Sequence, residues 1–509
     1  MKILKKLFSR SAIVIFFILV QLAISVYIAA VLSQNYFYIR VAFTVLGIAA
    51  IIAVVNRDMS ASYKVPWLVL LFIFPIAGVI LYALLGNPRL TKKMHRRQKQ
   101  IADATKEYCV QDQAALAELE RENSLAAGQA KYLWASAGAP LYNDTDTQYF
   151  SSGEDAFVAL KQKLNAAKKF IFLEYFIIEK GKMWSEILEI LQNKASQGVE
   201  VKIIYDDLGC AGVLGRNYCS FLAQKGIECV RFNRLTFMVT AMHNNRDHRK
   251  ITVVDGEVAF VGGFNIADEY INLKDRLGYW KDSAVMLSGC AAQSLTLMFL
   301  RQYMGVGRDL NVSEYIGEHI SDGASKRQGY VLPFGDGPAP SDPSYIGEEA
   351  YLNIINQAKR YLYITTPYLI VDYHVTKALI MAAKRGVDVR IITPGVPDKK
   401  LVFVMTKSSY AKLIRGGVKI YEFTPGFIHA KNFLCDDEIA VIGSINLDYR
   451  SLVHHFECGV WMYKTEAVTQ MREDFDNTIY NCTQIQGDKT LKWHQKIFAT
   501  VFRIFAPLM

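Results

Sequence analysis

HRKITVVDGEVAFVGGFN fills residues 248–265, and HAKNFLCDDEIAVIGSIN fills residues 429–446. Aligned without gaps, His248, Lys250, Asp255, Gly262, Gly263 and Asn265 fall on His429, Lys431, Asp436, Gly443, Ser444 and Asn446. A single His-x-Lys with an Asp further on is a weak signal. Two copies at equal spacing, each ending in the same Gly-[Gly/Ser]-x-Asn turn, argue for one structural unit used twice. In an extended chain alternate side chains share a face, so each His and its Lys point the same way. The apolar residues between them bury the strands, and the turn brings the Asn back towards the same site.

The repeat extends outward. KKFIFLEYFII (168–178) is strand-like and is followed by the helical SEILEILQNKASQ, Gly198 and the strand VEVKIIYDD. KRYLYITTPYLI (359–370), HVTKALIMAAKR, Gly386 and VDVRIITPG repeat that order. Each is a βαβ unit, with a parallel strand pair expected. The Gly-, Pro- and Ser-rich stretch 321–349 marks a boundary. The two His-x-Lys stretches lie 181 residues apart, too long a period for a solenoid. The reading is a duplicated domain meeting at a pseudo-two-fold interface.

Two His, two Lys and two Asn converging on one site suit a phosphodiester. Ammonium and amide donors stabilise the charge that builds on its oxygens in the transition state. One neutral imidazole attacks phosphorus, and the other protonates the leaving alkoxide and then serves as base for the incoming alcohol. A carboxylate behind each ring fixes its tautomer. Asp282, 34 residues after His248, and Glu457, 28 after His429, are the candidates, since each begins another short strand. The chain lacks a compact metal-ligand set, and two lysines are poor neighbours for a cation, so no metal and no other cofactor is expected.

Composition places this site at a membrane. The 509-residue chain exceeds one ordinary core. It is 51% hydrophobic, with a net charge of +10 that favours an anionic partner. Its eight cysteines have neither CxxC nor zinc spacing and read as reduced core thiols. Three apolar runs, 11–32, 36–55 and 65–86, are candidate spans, the last containing Pro75. Six Lys/Arg among residues 87–100 favour a cytoplasmic catalytic region, although the basic N-terminal flank competes for the same side. LKWHQKIFATVFRIFAPLM places Trp493, Ile497, Phe498, Val501, Phe502 and Phe505 on a helical stripe beside Lys492, Lys496 and Arg503. That helix either lies in the lipid interface or packs on the domain.

The two motifs resemble the phospholipase D superfamily signature HxKx4Dx6G[GST]xN. The whole chain looks like a bacterial cardiolipin synthase, through YKVPWLVLLFIFPIAGVILYALLG, DHRK, GSINLDYRSL with the following Phe-Glu, and the ending FAPLM. The resemblance implies an α/β fold: N-terminal transmembrane helices followed by two tandem phospholipase D-like α-β-α domains with a shared active site. The expected layout is a membrane module at 1–90 (two or three spans), a basic helical connector at 91–135, phospholipase D-like domains at 136–325 and 326–490, and an amphipathic helix at 491–509. The resemblance further implies that two phosphatidylglycerol molecules give cardiolipin and glycerol without metal or nucleotide, at the bacterial cell membrane.

His248, Lys250, Asp255, His429, Lys431 and Asp436 are then the catalytic set, with His248 the usual nucleophile. Asn265, Asn446, Gly263, Ser444, Asp282 and Glu457 bind substrate or support that set. Asp255 and Asp436 stand far enough along their strands to support the fold or the lysines instead. Phosphatidylglycerol and anionic lipids are the expected partners. Nucleic acid is not, because a nuclease of this superfamily has no need of the apolar N-terminus. Self-association is left open. The competing readings are a phospholipase D or a phosphatidyltransferase using another alcohol, and a non-catalytic lipid-binding protein. The other histidines, His454 and His455 among them, receive no role.

Overall fold

The computed structural model describes residues 37–57, 61–86, 92–235, 244–317, 327–338, 345–487 and 491–506, with single positions 20, 23, 27 and 31. The first apolar run expected to span, 11–32, lies outside the described residues except at those positions. The second forms α1 (Phe37–Val55). The third was read as one spanning helix and is two, α2 (Ala61–Ile73) and α3 (Pro75–Leu85). Pro75 has no N–H and keeps the preceding residue out of helical geometry; Phe74 sits at φ −128°, ψ 73°. α3 then folds against α2 so closely that a Cβ on Gly78 would lie 2.8 Å from the Leu70 carbonyl oxygen. Among the described residues no helix is long and apolar enough to cross a membrane.

Beyond three helices (Lys92–Ala104, Gln113–Glu122 and Ser124–Ala137) the chain builds two α/β halves. The first half's strands are β1 (Asp146–Phe150), β2 (Phe170–Tyr175), β3 (Glu200–Asp206), β4 (Glu228–Phe232), β5 (Lys250–Val254), β6 (Val258–Gly262), β7 (Tyr279–Lys281) and β8 (Ala284–Ser288). Its sheet has the order β1-β8-β6-β5-β2-β3-β4. The second half holds β9 (Tyr330–Asp336), β10 (Tyr361–Thr365), β11 (Leu369–Ile370), β12 (Asp388–Pro394), β13 (Lys419–Phe423), β14 (Gly426–Ile428), β15 (Asn432–Cys435), β16 (Ile439–Gly443), β17 (Leu447–Asp448), β18 (Glu457–Tyr463) and β19 (Cys482–Ile485). Its sheet, read from the opposite edge, runs β9-β18-β16-β15-β10-β12-β13-β19. The first seven strands repeat the first sheet's order. The expected parallel pairs are present, with Phe170 opposite Glu200 and Tyr361 opposite Asp388.

Both faces of each sheet are covered, so the central strands are apolar throughout rather than alternating. Helices Gly153–Ala166 and Lys182–Ser196 close one face of the first sheet. Helices Ala291–Gly305 and Glu466–Ile479 lie between the halves, and one continuous apolar cluster runs from Phe172, Val253 and Leu295 to Leu434, Met471 and Phe475. Polar contacts cross the same seam: Lys281 pairs with Asp474 at 2.7 Å, and the Tyr149 hydroxyl donates to Asp474 at 2.6 Å. All eight cysteines are free thiols.

The signature aspartates belong to this framework. Asp255 (φ +56°) and Gly256 (φ +73°) begin the three-residue turn between β5 and β6, and Asp436 (+59°) and Asp437 (+60°) begin its counterpart. Both positions take positive φ, which Gly, Asn and Asp tolerate best. The Asp255 carboxylate accepts the N–H groups of Lys168, Lys169 and Phe170 at 2.7–2.9 Å. Asp436 accepts those of Lys359, Arg360 and Tyr361 at 2.7–2.8 Å. Each thus ties its hairpin to the start of the neighbouring strand, at the end of β5 or β15 remote from the histidine. Grouped above with the catalytic set, both aspartates hold backbone N–H groups and neither lines the cavity with the histidines. Asp255→Ala, which strands three donors, is expected to cost about 2 kcal/mol of stability while leaving kcat of the folded fraction unchanged. Urea unfolding alongside active-fraction-corrected turnover measures both.

Candidate active site

His248 and His429 stand just ahead of β5 and β15, and each is held by the other half. The His248 N–H donates to the Phe456 carbonyl at 2.9 Å, and Phe456 N–H returns a bond to Arg246. The His429 N–H donates to the Lys281 carbonyl at 2.7 Å, extending the parallel pairing of β14 with β7. The residues after Phe456 and Lys281 are the two candidate acids. Each histidine therefore meets the carboxylate of the opposite half: His248 Nδ1 lies 3.0 Å from Glu457 Oε2, and His429 Nδ1 lies 2.7 Å from Asp282 Oδ2. Both acids are fully buried. Each Nδ1 carries its proton towards a carboxylate, which leaves each Nε2 with a lone pair.

The imidazoles open into one cavity of about 370 Å³ between the halves. Asn265 and Asn446 line it with them. Asn265 is engaged on both sides: its Oδ1 accepts from Ile177 N–H at 3.0 Å and its Nδ2 donates to the Tyr270 hydroxyl at 2.7 Å. Asn446 Oδ1 makes no hydrogen bond among the described residues. Lys250 and Lys431 are buried, and each donates its ammonium to the backbone carbonyl of the histidine two residues earlier.

Gly263 and Ser444 do not line the cavity. A Cβ on Gly263 would sit 2.1 Å from Asp282 Oδ1, so the glycine makes room for that carboxylate. The Ser444 hydroxyl accepts the Cys458 N–H at 3.0 Å and offers nothing to a substrate.

Several cavity residues escaped the sequence reading: Arg246, Arg450 and Lys399, and the rings of Trp280, Tyr270 and His455. Arg450 opens a short π-helical turn, Arg450–His454, and His455 follows it, a distortion frequent at functional sites. The Arg-Ser-Leu and His-His-Phe-Glu run ahead of Glu457 was the available signal. His248, His455 and Glu457 bring three donor atoms within 4.8 Å of one another. The ammonium and guanidinium groups around them make the pocket suited to an anion rather than to a metal cation.

That positive charge also sets protonation. Burial, then Lys250 and Lys431, hold His248 well below its ordinary range. His429 is pushed down to about 4 by burial and Lys431, with Asp282 opposing. Burial lowers Lys250 to about 8 and Lys431 to about 7, against the pull of the acids. Asp282 is driven up by burial, but the His429 charge and hydrogen bond, Lys431 and the Ser283 N–H outweigh this and leave it below the usual carboxylate range. A phosphodiester anion among these groups restores the lysine and imidazole charge and shares it.

Two converging imidazoles backed by carboxylates, with ammonium groups behind them, define a phosphodiester-transferring site. Comparison with known proteins agrees. A family model described as "Cardiolipin synthase, PLD-like domain" matches residues 160–287 and 351–479, and a "Phospholipase_D-nuclease N-terminal" model matches 45–87. The chain is 32% identical over 490 residues to a cardiolipin synthase of Halalkalibacterium halodurans, covering 93% of this chain and 94% of that protein. It is 32% identical over 469 residues to cardiolipin synthase 2 of Bacillus cereus, covering 91% and 89%. An uncharacterized protein of Streptococcus mutans is 42% identical over 464 residues, covering 91% and 100%. A phosphatidylserine synthase structure from Haemophilus influenzae shares the fold, at TM-score 0.53 and 14% identity, over 71% of this chain and 93% of that one. The chain belongs to the cardiolipin synthase family of phospholipase D-like proteins and is a phosphatidyltransferase of that superfamily.

The crossed pairing is directly testable. Asp282→Asn should lower kcat about a thousandfold or more through loss of the oriented tautomer, with little change in Tm. Peptide-resolved diethyl pyrocarbonate labelling should show an altered rate at His429 and an unaltered one at His248. The reverse pattern would mean that the pairs form within each half.

Proposed function

We propose that this enzyme joins two phosphatidylglycerol molecules into cardiolipin and glycerol through a phosphatidyl-histidine intermediate. The observation that carries the reading is the pair of crossed imidazole–carboxylate couples facing one cationic cavity. His248 Nε2 attacks phosphorus and the bond to glycerol breaks, while His429, protonated at Nε2 once the phosphodiester anion is bound, delivers that proton to the departing oxygen. The hydroxyl of the second phosphatidylglycerol then returns a proton to His429 and attacks phosphorus, and the P–N bond breaks. His248 suits attack because burial, then Lys250 and Lys431, keep it unprotonated. His429 suits proton transfer because its carboxylate is closer, at 2.7 Å. Lys250 and Lys431 stabilise the equatorial charge from behind the imidazoles. One phosphodiester replaces another, so the exchange needs no external energy source.

Purified enzyme in detergent micelles, given labelled phosphatidylglycerol, chelator and no nucleotide, is expected to yield cardiolipin and glycerol in equal amounts. His248→Ala and His429→Ala should abolish both products. Phosphatidic acid in place of cardiolipin would make water the acceptor, and a different phosphatidyl ester formed only with an added alcohol would reassign the acceptor.

We further propose that the catalytic halves work at a bacterial membrane. The C-terminal helix Trp493–Phe505 supports it. One face, with Ala499 buried and Phe498 and Phe502 half-buried, packs near Met405. The opposite face exposes Trp493 (75%), Ile497 (58%) and Val501 (50%) beside Lys492 and Lys496. Apolar anchors with flanking cations suit an anionic lipid interface. Replacing Trp493, Ile497 and Val501 together with Ser should lower turnover on phosphatidylglycerol vesicles about tenfold and leave turnover in mixed micelles intact. Equal loss in both would point to a packing role alone.

A further inference from the structure

The two halves are nearly equivalent at the histidines but not beside them. Trp280 stands two residues before Asp282, and His455 stands two before Glu457. Trp280 faces His429 with ring centroids 5.7 Å apart, and His455 faces His248 at 5.4 Å. One imidazole thus has an indole at its side, and the other has a second imidazole.

The carboxylates differ to match. Asp282 is fully used, with Oδ2 on His429 and Oδ1 accepting the Ser283 N–H at 2.8 Å. Both oxygens of Glu457 lie 3.0 Å from His248 Nδ1; the hydrogen bond runs to Oε2, and Oε1 makes none among the described residues. His455 Nδ1 lies 3.5 Å from that oxygen, and neither of its ring nitrogens is hydrogen-bonded among the described residues. A buried carboxylate oxygen and a buried imidazole with its donor unspent therefore stand a few tenths of an ångström beyond a good hydrogen bond.

We propose that His455 is a positioning residue for the transfer reaction: it closes onto Oε1 of Glu457 and so governs how strongly that carboxylate draws on the Nδ1 proton of His248. The inference rests on the phosphatidyl-transfer reading above. An N–H donated to Oε1 withdraws negative charge from the carboxylate, so Oε2 pulls less on the His248 proton and Nε2 is less basic. That keeps His248 unprotonated for attack and makes it a better leaving group when the P–N bond breaks. His455 gains and loses no proton in the cycle. The indole beside the Asp282–His429 pair does nothing comparable to Asp282, which leaves His429 the proton carrier. The other charged groups bearing on His248 are Lys250, Lys431, His429 and Lys399, and those bearing on His455 are Arg450 and Glu457. None of them is altered by substitution at 455.

The test compares full-length wild type, His455→Phe and His455→Asn, whose amide also donates to a carboxylate. For His455→Phe the acid limb of kcat/KM is expected to move up by about one pH unit, because His248 holds its proton to higher pH. kcat should fall about tenfold with KM nearly constant, and glycerol release should show a burst as the P–N intermediate accumulates. His455→Asn should recover most of kcat and return the limb towards wild type. An unmoved acid limb in folded His455→Phe, or His455→Asn as impaired as His455→Phe, would overturn the proposal. The rate of diethyl pyrocarbonate labelling at His248 against pH reads the same shift without turnover, in whichever variant folds. A labelling shift in a protein that forms no phosphatidyl ester would uphold the pairing and overturn the transfer reading. An unchanged labelling profile beside normal wild-type turnover would do the reverse.

Discussion

Two buried carboxylates, each paired with an imidazole from the other half, are the constraint on which the molecule depends. A charged carboxylate removed from water is strongly unfavourable unless it is paired and hydrogen-bonded. Asp282 and Glu457 are fully buried, and neither finds its histidine within its own repeat. Separating the halves would leave two charges without partners and expose the apolar cluster that crosses the seam. The duplication is therefore one structural unit. The short parallel pairings, Ile428 with Lys281 and Asp247 with Phe456, hold each histidine's backbone in register with the opposite acid.

The same arrangement explains how an apolar, enclosed site accommodates so many cations. Two lysines and three histidines lie together in little water, and burial drives the proton affinity of each imidazole and ammonium downward. The two acids offset only part of that charge. A phosphodiester anion supplies the remainder and is held by donors already in place, so no reorganisation is needed as charge builds on its oxygens. Selection for an anionic substrate and stabilisation of its transition state thus come from one surplus of positive charge.

Much of this was legible in the residues, and the gaps have identifiable causes. Equal spacing around His248 and His429 exposed the repeat, and the GV[DE]V strands exposed its parallel pairs, because local periodicity records strand geometry directly. The role of Asp255 and Asp436 was ambiguous because a motif lists residues without saying which end of a strand faces the site. Their positive φ and the N–H groups they accept become visible only in the hairpin. The crossing of the acids was hidden altogether, since distance along the chain says nothing about pairing between domains. At the N-terminus, hydropathy alone cannot distinguish a straight helix from one broken at Pro75, and the fold-back of α3 onto α2 depends on Gly78 admitting the Leu70 carbonyl.

In the proposed transfer a near-symmetric scaffold performs an asymmetric reaction, in which one imidazole attacks and the other carries a proton. The histidines, lysines and asparagines of the signature cannot provide that difference, because they are the same in both halves. It arises one layer out. Gly263, lacking a side chain, admits the short Asp282 carboxylate to 2.7 Å from His429 and frees its other oxygen for the Ser283 N–H. In the second half Ser444 occupies the corresponding place, its hydroxyl taken by the Cys458 N–H. There the longer Glu457 sets both oxygens 3.0 Å from His248 Nδ1, and only Oε2 is hydrogen-bonded among the described residues. One couple is closed and fully satisfied; the other is looser and stands beside a third imidazole. Two imidazoles of identical covalent structure thereby stand in different surroundings, and in the proposed transfer small substitutions around a duplicated motif divide the labour between its copies.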